Sequence, residues 1–191
     1  MKKINLIFAL ILCLFLLFGC STPKTDSKVG ESTNESYKVD YGLMDLANIY
    51  SSLDELESAS DLIAEVSITG DIENVEYEGA NFTLSDAKVK EVIKGDEIKG
   101  NIKIFEVERF NINLTKKNDK FILFLQKYQG PVTNEDAYVI TGVYQGKFSI
   151  SNDNKVIYDA VDYNGEMTFQ NSLNSIDVND FKKKIKEKSV K

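Results

Sequence analysis

The chain has 191 residues, with 30 acidic against 23 basic side chains, a net charge of −7, and neither histidine nor tryptophan. The missing imidazole excludes His-dependent general base catalysis, serine or cysteine triads built on histidine, and most zinc sites. The acidic balance makes nucleic acid a poor partner, and with Cys13 and Cys20 as the only cysteines the chain beyond them has no disulfide of its own.

Lys2 and Lys3 precede an almost unbroken apolar run, Ile4 to Phe18, that closes on Leu17-Phe18-Gly19-Cys20. A positive start and an apolar run shorter than the ~20 residues a bilayer core requires read as a secretion signal. The closing tetrapeptide resembles the lipobox of bacterial lipoproteins. That resemblance implies diacylglyceryl transfer to the Cys20 thiol, cleavage between Gly19 and Cys20, and acylation of the freed amine. Phe18 departs from the pattern, which prefers a small or short residue there, and this implies slower cleavage. Residues 1–19 are thus the expected signal. The mature protein is expected on the extracytoplasmic face of the cell membrane, held by lipid without crossing the bilayer. Loss of Lys2 and Lys3 leaves about nine net negative charges on it. The excess of Lys, Ile and Asn hints at a single-membrane bacterium.

From Ser21 to Lys38 the chain is Ser, Thr, Lys, Glu, Gly and Asn with almost nothing apolar. Such a segment cannot offset the entropy of ordering it, so residues 20–38 are expected to be a flexible tether spanning roughly 25 Å. A single domain is expected over 39–188. It opens on an apolar patch of partly helical spacing (Tyr41, Leu43, Met44, Leu46, Ile49). Ser52 and Glu55 then form a capping box that predicts a short helix over Leu53–Ser58.

The body reads as β. Leu62, Ala64, Val66 and Ile68 recur at period two, which predicts a strand to Thr69, followed by a loop of acidic and glycine residues. Phe82 to Ile93 predicts a second strand with a bulge near Asp86–Ala87, ended by Lys94-Gly95-Asp96. Ile102 and Ile104, with Glu106 in the same parity and Phe105 in the other, predict a third. The charged turn Lys116–Lys120 delivers Phe121-Ile122-Leu123-Phe124-Leu125, apolar on both parities and so a central strand covered on both faces. Gly130-Pro131 opens a surface loop to Asp136. Ala137–Thr141 is a strand that Gly142–Gly146 interrupts and Lys147–Ser151 resumes, and Asn152-Asp153-Asn154 turns it back onto Val156–Tyr158. Asp177 caps a final helix, Ile176 staples against Phe181, and Val178, Phe181 and Ile185 recur at helical spacing.

Short strands, close turns and edge helices predict a mainly β fold, a small OB-like barrel with a short N-terminal and a C-terminal helix. The segments Asp61–Val66, Val89–Asp96, Phe121–Leu125 and Gly142–Phe148 resemble secreted bacterial domains of unassigned function. That family is similar to the barrels of netrin-like domains and tissue inhibitors of metalloproteinases. The inhibitory mechanism does not carry over: it relies on a free N-terminal cysteine amine held by disulfides, whereas Cys20 is expected to be acylated and tethered.

Candidate sites are few. Tyr144, Gln145, Lys147 and Phe148 beside two glycines suit sugars or peptides on a barrel rim, and a bulge that needs glycine for its backbone angles is the other reading. Lys182, Lys183, Lys184, Lys186 and Lys188 form a basic tail. It is either a solvated helix face or a contact for anionic lipid or wall polymer. Asp162–Glu166 fails the EF-hand spacing, Asn164-Gly165 reads as a turn, and Glu106 with Glu108 lacks the sugar cleft a glycosidase needs. No metal or cofactor is expected. The expected function is a non-catalytic binding module at the cell surface, partnered by the membrane and by a surface protein or wall polymer. A protein-directed inhibitor acting through a projecting loop, Gln129–Asp136 or Tyr77–Asn81, is the alternative. A His-independent hydrolase stands third and requires carboxylates converging with lysine or tyrosine in a pocket.

Overall fold

The computed structural model describes residues 40–108, 114–165 and 168–188; the expected signal, Cys20, the tether, Val39 and Glu166 lie outside them. Its elements are α1 (Leu53–Ser58), β1 (Leu62–Tyr77), β2 (Ala80–Lys94), β3 (Asn101–Val107), β4 (Lys120–Lys127), β5 (Ala137–Ile140), β6 (Lys147–Ile150), β7 (Val156–Ile157) and α2 (Val178–Lys188), with 3-10 turns at Tyr41–Leu43, Asp159–Tyr163 and Gln170–Ser172. No helix among the described residues is long and apolar enough to cross a membrane.

β1 pairs antiparallel with β2 on one edge and with β4 on the other, β2 pairs with β3, β3 runs parallel to β5, and β5 returns to β4. This ring is the expected OB-like barrel, partly closed, because the β3–β5 seam joins only Lys103↔Ala137 and Ile104↔Tyr138. β5 and β6 lie on the same edge of β4 and act as one strand broken by Thr141–Gly146, as the glycines indicated.

The five-residue apolar run is buried on both faces. Phe121, Leu123 and Leu125 point into the barrel with Leu62, Ala64, Val66, Ile68, Ile102 and Ile104. Ile122 and Phe124 point out into a second core formed by Leu56, Phe148, Tyr158, Val178, Phe181 and Ile185, which lies under α2. A third cluster, centred on Leu84, Phe105 and Ala137, covers the outer face of β2, β3 and β5, where Phe105 stacks on Phe82 at 5.0 Å. Phe105 therefore takes the parity opposite to Ile102 and Ile104, as read from the sequence.

Local signals hold with small changes. Ser52 Oγ accepts from the Glu55 N–H at 3.2 Å, but the Glu55 carboxylate reaches the N–H of Ser51, at 2.8 Å, one residue earlier than the capping box predicts. Asp177 caps α2 by accepting from Asn179 N–H at 2.9 Å. The apolar patch at Tyr41–Tyr50 gives one 3-10 turn, with Leu43 and Ile49 exposed.

Two features depart from the sequence reading. The loop expected after Thr69 is strand: β1 continues to Tyr77 and forms a long hairpin arm with β2. Its residues are mostly exposed on both faces, so no apolar alternation marks it. The irregularity opposite Asp86 is carried by β1, where Thr69–Asp71 stand against that one residue, and the extra residues on β2 are Lys90 and Ile93. Phe82 and Leu84 face outward and Ala87 inward by ordinary alternation, so no face switch is needed at Asp86.

Phe181 is fully buried, with ring centroids 5.0 Å from Phe148 and 6.3 Å from Phe124. Phe181→Ala is expected to cost about 3–5 kcal/mol in urea unfolding, from lost transfer energy plus a cavity. A loss below about 1 kcal/mol would mean that α2 is not part of the core.

Candidate functional site

The interruption between β5 and β6 sits opposite Phe124, whose N–H donates to Gly146 O and whose O accepts from Thr141 N–H, both at 2.9 Å. Gly142 has φ +67, and a Cβ on Gly146 would lie 2.8 Å from Thr141 O and 2.9 Å from Phe124 Cβ. Glycine is thus required here, once for its backbone angle and once for close approach. The bulge also holds Val143 at φ 61, an uncommon conformation for a β-branched residue.

The rim expected from Tyr144, Gln145, Lys147 and Phe148 does not form a binding surface. Tyr144 is 2% exposed and stacks on Tyr41 at 4.2 Å, and Phe148 is fully buried in the outer core. Gln145, also fully buried, accepts from Tyr50 N–H through Oε1 at 3.2 Å and donates to Tyr50 O through Nε2 at 3.4 Å. The reason is the second core outside the barrel, which turns a rim segment into an interior one. Lys147 alone is partly open, its ammonium 5.6 Å from the Phe121 ring centroid.

Lys147 leads to a group of residues that the sequence did not connect. Glu106 lies within electrostatic reach of it and accepts from Leu114 N–H at 2.8 Å. Burial raises the Glu106 carboxyl above its usual range, against the pull of Lys147 and the Leu114 N–H. Burial likewise lowers the Lys147 ammonium, against Glu106, Asp159 and Asp119. Asp159 is raised by burial, opposed by its hydrogen bond to Ser149 and by Lys147. Tyr41 is pushed up by burial and then by Glu106. Four perturbed groups are thus linked through the charges they place on one another, the arrangement that marks candidate sites. Glu106 and Glu108 are not brought together, since Glu108 is exposed beyond β3.

Beside this group opens a cavity of about 390 Å³. Asp119, Phe121, Ser149, Ser151, Asn154 and Asp159 contribute to its wall. Asp119 and Phe121 come from the charged turn and start of β4, Ser149 from β6, and Asn154 from the β6–β7 turn at φ 58. The sequence marked these as turn and strand-end residues, and only the pairing of β4 with β6 places them together. The wall offers carboxylates, hydroxyls and amides around one aromatic ring, which can bind hydroxyl or amine groups. Among the described residues no group of acidic side chains is placed to hold a metal ion.

The basic tail divides. Glu65 and Glu91 lie opposite each other on β1 and β2, a repulsive cross-strand pair. The Lys182 ammonium lies between them, bonded to Glu65 and to Glu91 at 2.8 Å, and Lys186 takes the other Glu91 oxygen at 2.7 Å. These two lysines tie α2 to the sheet. Lys183 pairs with Glu187 along the helix at 3.7 Å, Lys184 is exposed, and the side chain of Lys188 lies outside the described ones. The loop Gln129–Asp136 is tied at two points: Tyr128 Oη accepts from Val132 N–H at 3.1 Å and Glu135 meets Lys103 at 3.3 Å. The segment Tyr77–Asn81 is the tip of the hairpin arm. Asn164, at φ 57, ends the 3-10 turn Asp159–Tyr163 as the expected turn.

No family model matches the chain, and no curated protein matches it.

Because Asp159 is raised in the fold, its ionisation costs stability, and that cost is absent once the group is protonated in both states. Asp159→Asn is therefore expected to match wild type near pH 3 and to exceed it at pH 7. Urea midpoints at the two pH values check this, and a variant weaker than wild type at pH 7 would contradict it.

Proposed function

We propose that the chain is a lipid-anchored, extracytoplasmic binding module that acts without catalysis and takes a polyhydroxylated ligand, such as a segment of wall glycan, at the mouth of its barrel. The observation that carries this reading is the cavity lined by Asp119, Asp159, Ser149, Ser151 and Asn154 beside Phe121. Carboxylates, hydroxyls and amides accept from and donate to ligand hydroxyls, while Phe121, buried beneath, closes the apolar floor. With about nine net negative charges expected on the mature chain, a neutral or amine-bearing glycan fits better than an anionic polymer.

Binding is favoured over catalysis by the commitments of two of the perturbed groups, which leave Asp159 without them in the wall. Glu106 is held by the Leu114 N–H and coupled to Lys147, and neither is part of the cavity wall. The anchor reading rests on the resemblance of Leu17-Phe18-Gly19-Cys20 to a lipobox. The resemblance to netrin-like barrels supports a binding role without the zinc-chelating inhibition of that group. A protein-directed inhibitor remains the second reading, favoured by the β1–β2 arm, which extends beyond the pairing of β1 with β4.

Two measurements test the proposal. Metabolic labelling with palmitate is expected to mark the wild type and to fail with Cys20→Ser; no label on the wild type, or equal labelling of the two, would exclude a lipid on Cys20. Soluble wall-glycan fragments are expected to bind the full chain and to lose roughly tenfold in affinity with Asp119→Asn and Asp159→Asn together. Undiminished binding would remove the cavity from the function.

A further inference from the structure

β1 leaves β4 after Ser67↔Lys120, bends at Gly70 (φ +89), and from Ile72 to Tyr77 pairs with β2 alone. Over these residues its second edge has no partner among the described residues. The arm closes through Glu78 and Gly79, at φ 50 and φ 77, the positive-φ pair that two-residue hairpins favour. Tyr77↔Ala80 is then the pair that exchanges both hydrogen bonds, and alternation turns the N–H and C=O of Ile72, Asn74 and Glu76 to the open edge. Unpaired backbone groups of this kind are a template for another strand.

The charge on the arm selects what can pair there. Asp71, Glu73, Glu76 and Glu78 are acidic, and no lysine or arginine occurs between Gly70 and Phe82. Lys103 meets Glu73 at 3.5 Å, but that side chain remains 51% exposed. Ile72 is 44% exposed and Val75 packs at the margin of the outer cluster of Phe82 and Phe105. A second copy is a poor occupant: antiparallel pairing about Asn74, which sets the outward residues 72, 74 and 76 of the two arms against one another, brings Asp71, Glu73, Glu76 and Glu78 of both arms edge to edge with no lysine or arginine between Gly70 and Phe82 to offset them.

We propose that the open edge of β1 from Ile72 to Tyr77 captures an extended, basic segment of another protein as an added antiparallel strand. Main-chain hydrogen bonds supply affinity and alternate side chains supply selection. Read along the added strand, the arm asks for a basic residue opposite Glu76, an apolar one opposite Val75, a second basic residue opposite Glu73 and an apolar one opposite Ile72. This surface is separate from the mouth cavity, and neither site requires the other.

The test uses the full-length protein in detergent and a capped peptide containing Lys-Val-Thr-Lys-Val, with its Glu-Val-Thr-Glu-Val counterpart as the opposite-charge probe. Saturable binding of the first, with slowed amide exchange at Ile72, Asn74 and Glu76, is the expected result. Affinity should fall roughly tenfold or more when Glu73→Lys and Glu76→Lys are combined. Asn74→Pro removes one outward N–H and leaves the β2 ladder intact, so it should abolish binding with an unchanged circular dichroism spectrum. Absence of saturable binding at millimolar peptide, equal affinity for the acidic peptide, or full affinity in the charge-reversed variant would overturn the proposal. So would concentration-dependent dimerisation abolished by Asn74→Pro, which would give the edge to a second copy.

Discussion

Strand β4 has no free side. Both faces of Phe121–Leu125 are buried, one in the barrel and one under α2, while β1 takes one edge and β5 with β6 take the other. A strand so enclosed must place every backbone group in a ladder and every side chain in apolar surroundings. The rest of the fold follows from that demand. β1 is fixed against it from Leu62 to Ser67, α2 exists to cover Ile122 and Phe124, and the broken strand β5–β6 needs its glycines where the chain crosses Phe124.

The polar end of the barrel is the cost of the arrangement and the source of its chemistry. Burying Glu106 and Lys147 gains little over apolar packing, because desolvation opposes their attraction. Yet Thr83 lies directly across from Glu106, and Glu106 bonds to Leu114, so these polar contacts specify how β2, β3 and the segment before β4 meet. Next to them the chain leaves space rather than side chains, and apart from Phe121 and Ile150 the side chains that line it are all capable of hydrogen bonding.

Much of this was legible where a local pattern had one cause. Period two in Leu62–Ile68, the uninterrupted run in β4, the break at Gly142–Gly146 and the cap at Asp177 each reflect a short-range constraint. The arm from Ile72 to Tyr77 was not legible, because neither of its faces is fully buried and alternation had nothing to report. The site was least legible. Tyr144 and Phe148 look the same in sequence whether they line a rim or a second core, and only distant residues decide between them, Tyr41 for the first and Phe181 of α2 for the second. Glu106, Lys147 and Asp159 belong to three elements joined by long-range pairing. The one hint was Glu106 in parity with Ile102 and Ile104, a carboxylate on a strand's inner face.

The clamp formed by Lys182 between Glu65 and Glu91 has a meaning for the surroundings in which the domain can work. Hydrogen bonds from Lys182 and Lys186 hold the Glu91 carboxyl below its usual range. A group depressed in this way keeps its stabilising effect above the ordinary carboxylate value and loses it only as the pH falls through the lower, folded one. The C-terminal helix therefore stays fastened in moderately acidified medium, and with no imidazole anywhere in the chain no side chain is tuned by default to release it near neutrality. Such a fastening favours constancy: the helix holds its place across a range of pH instead of answering to it.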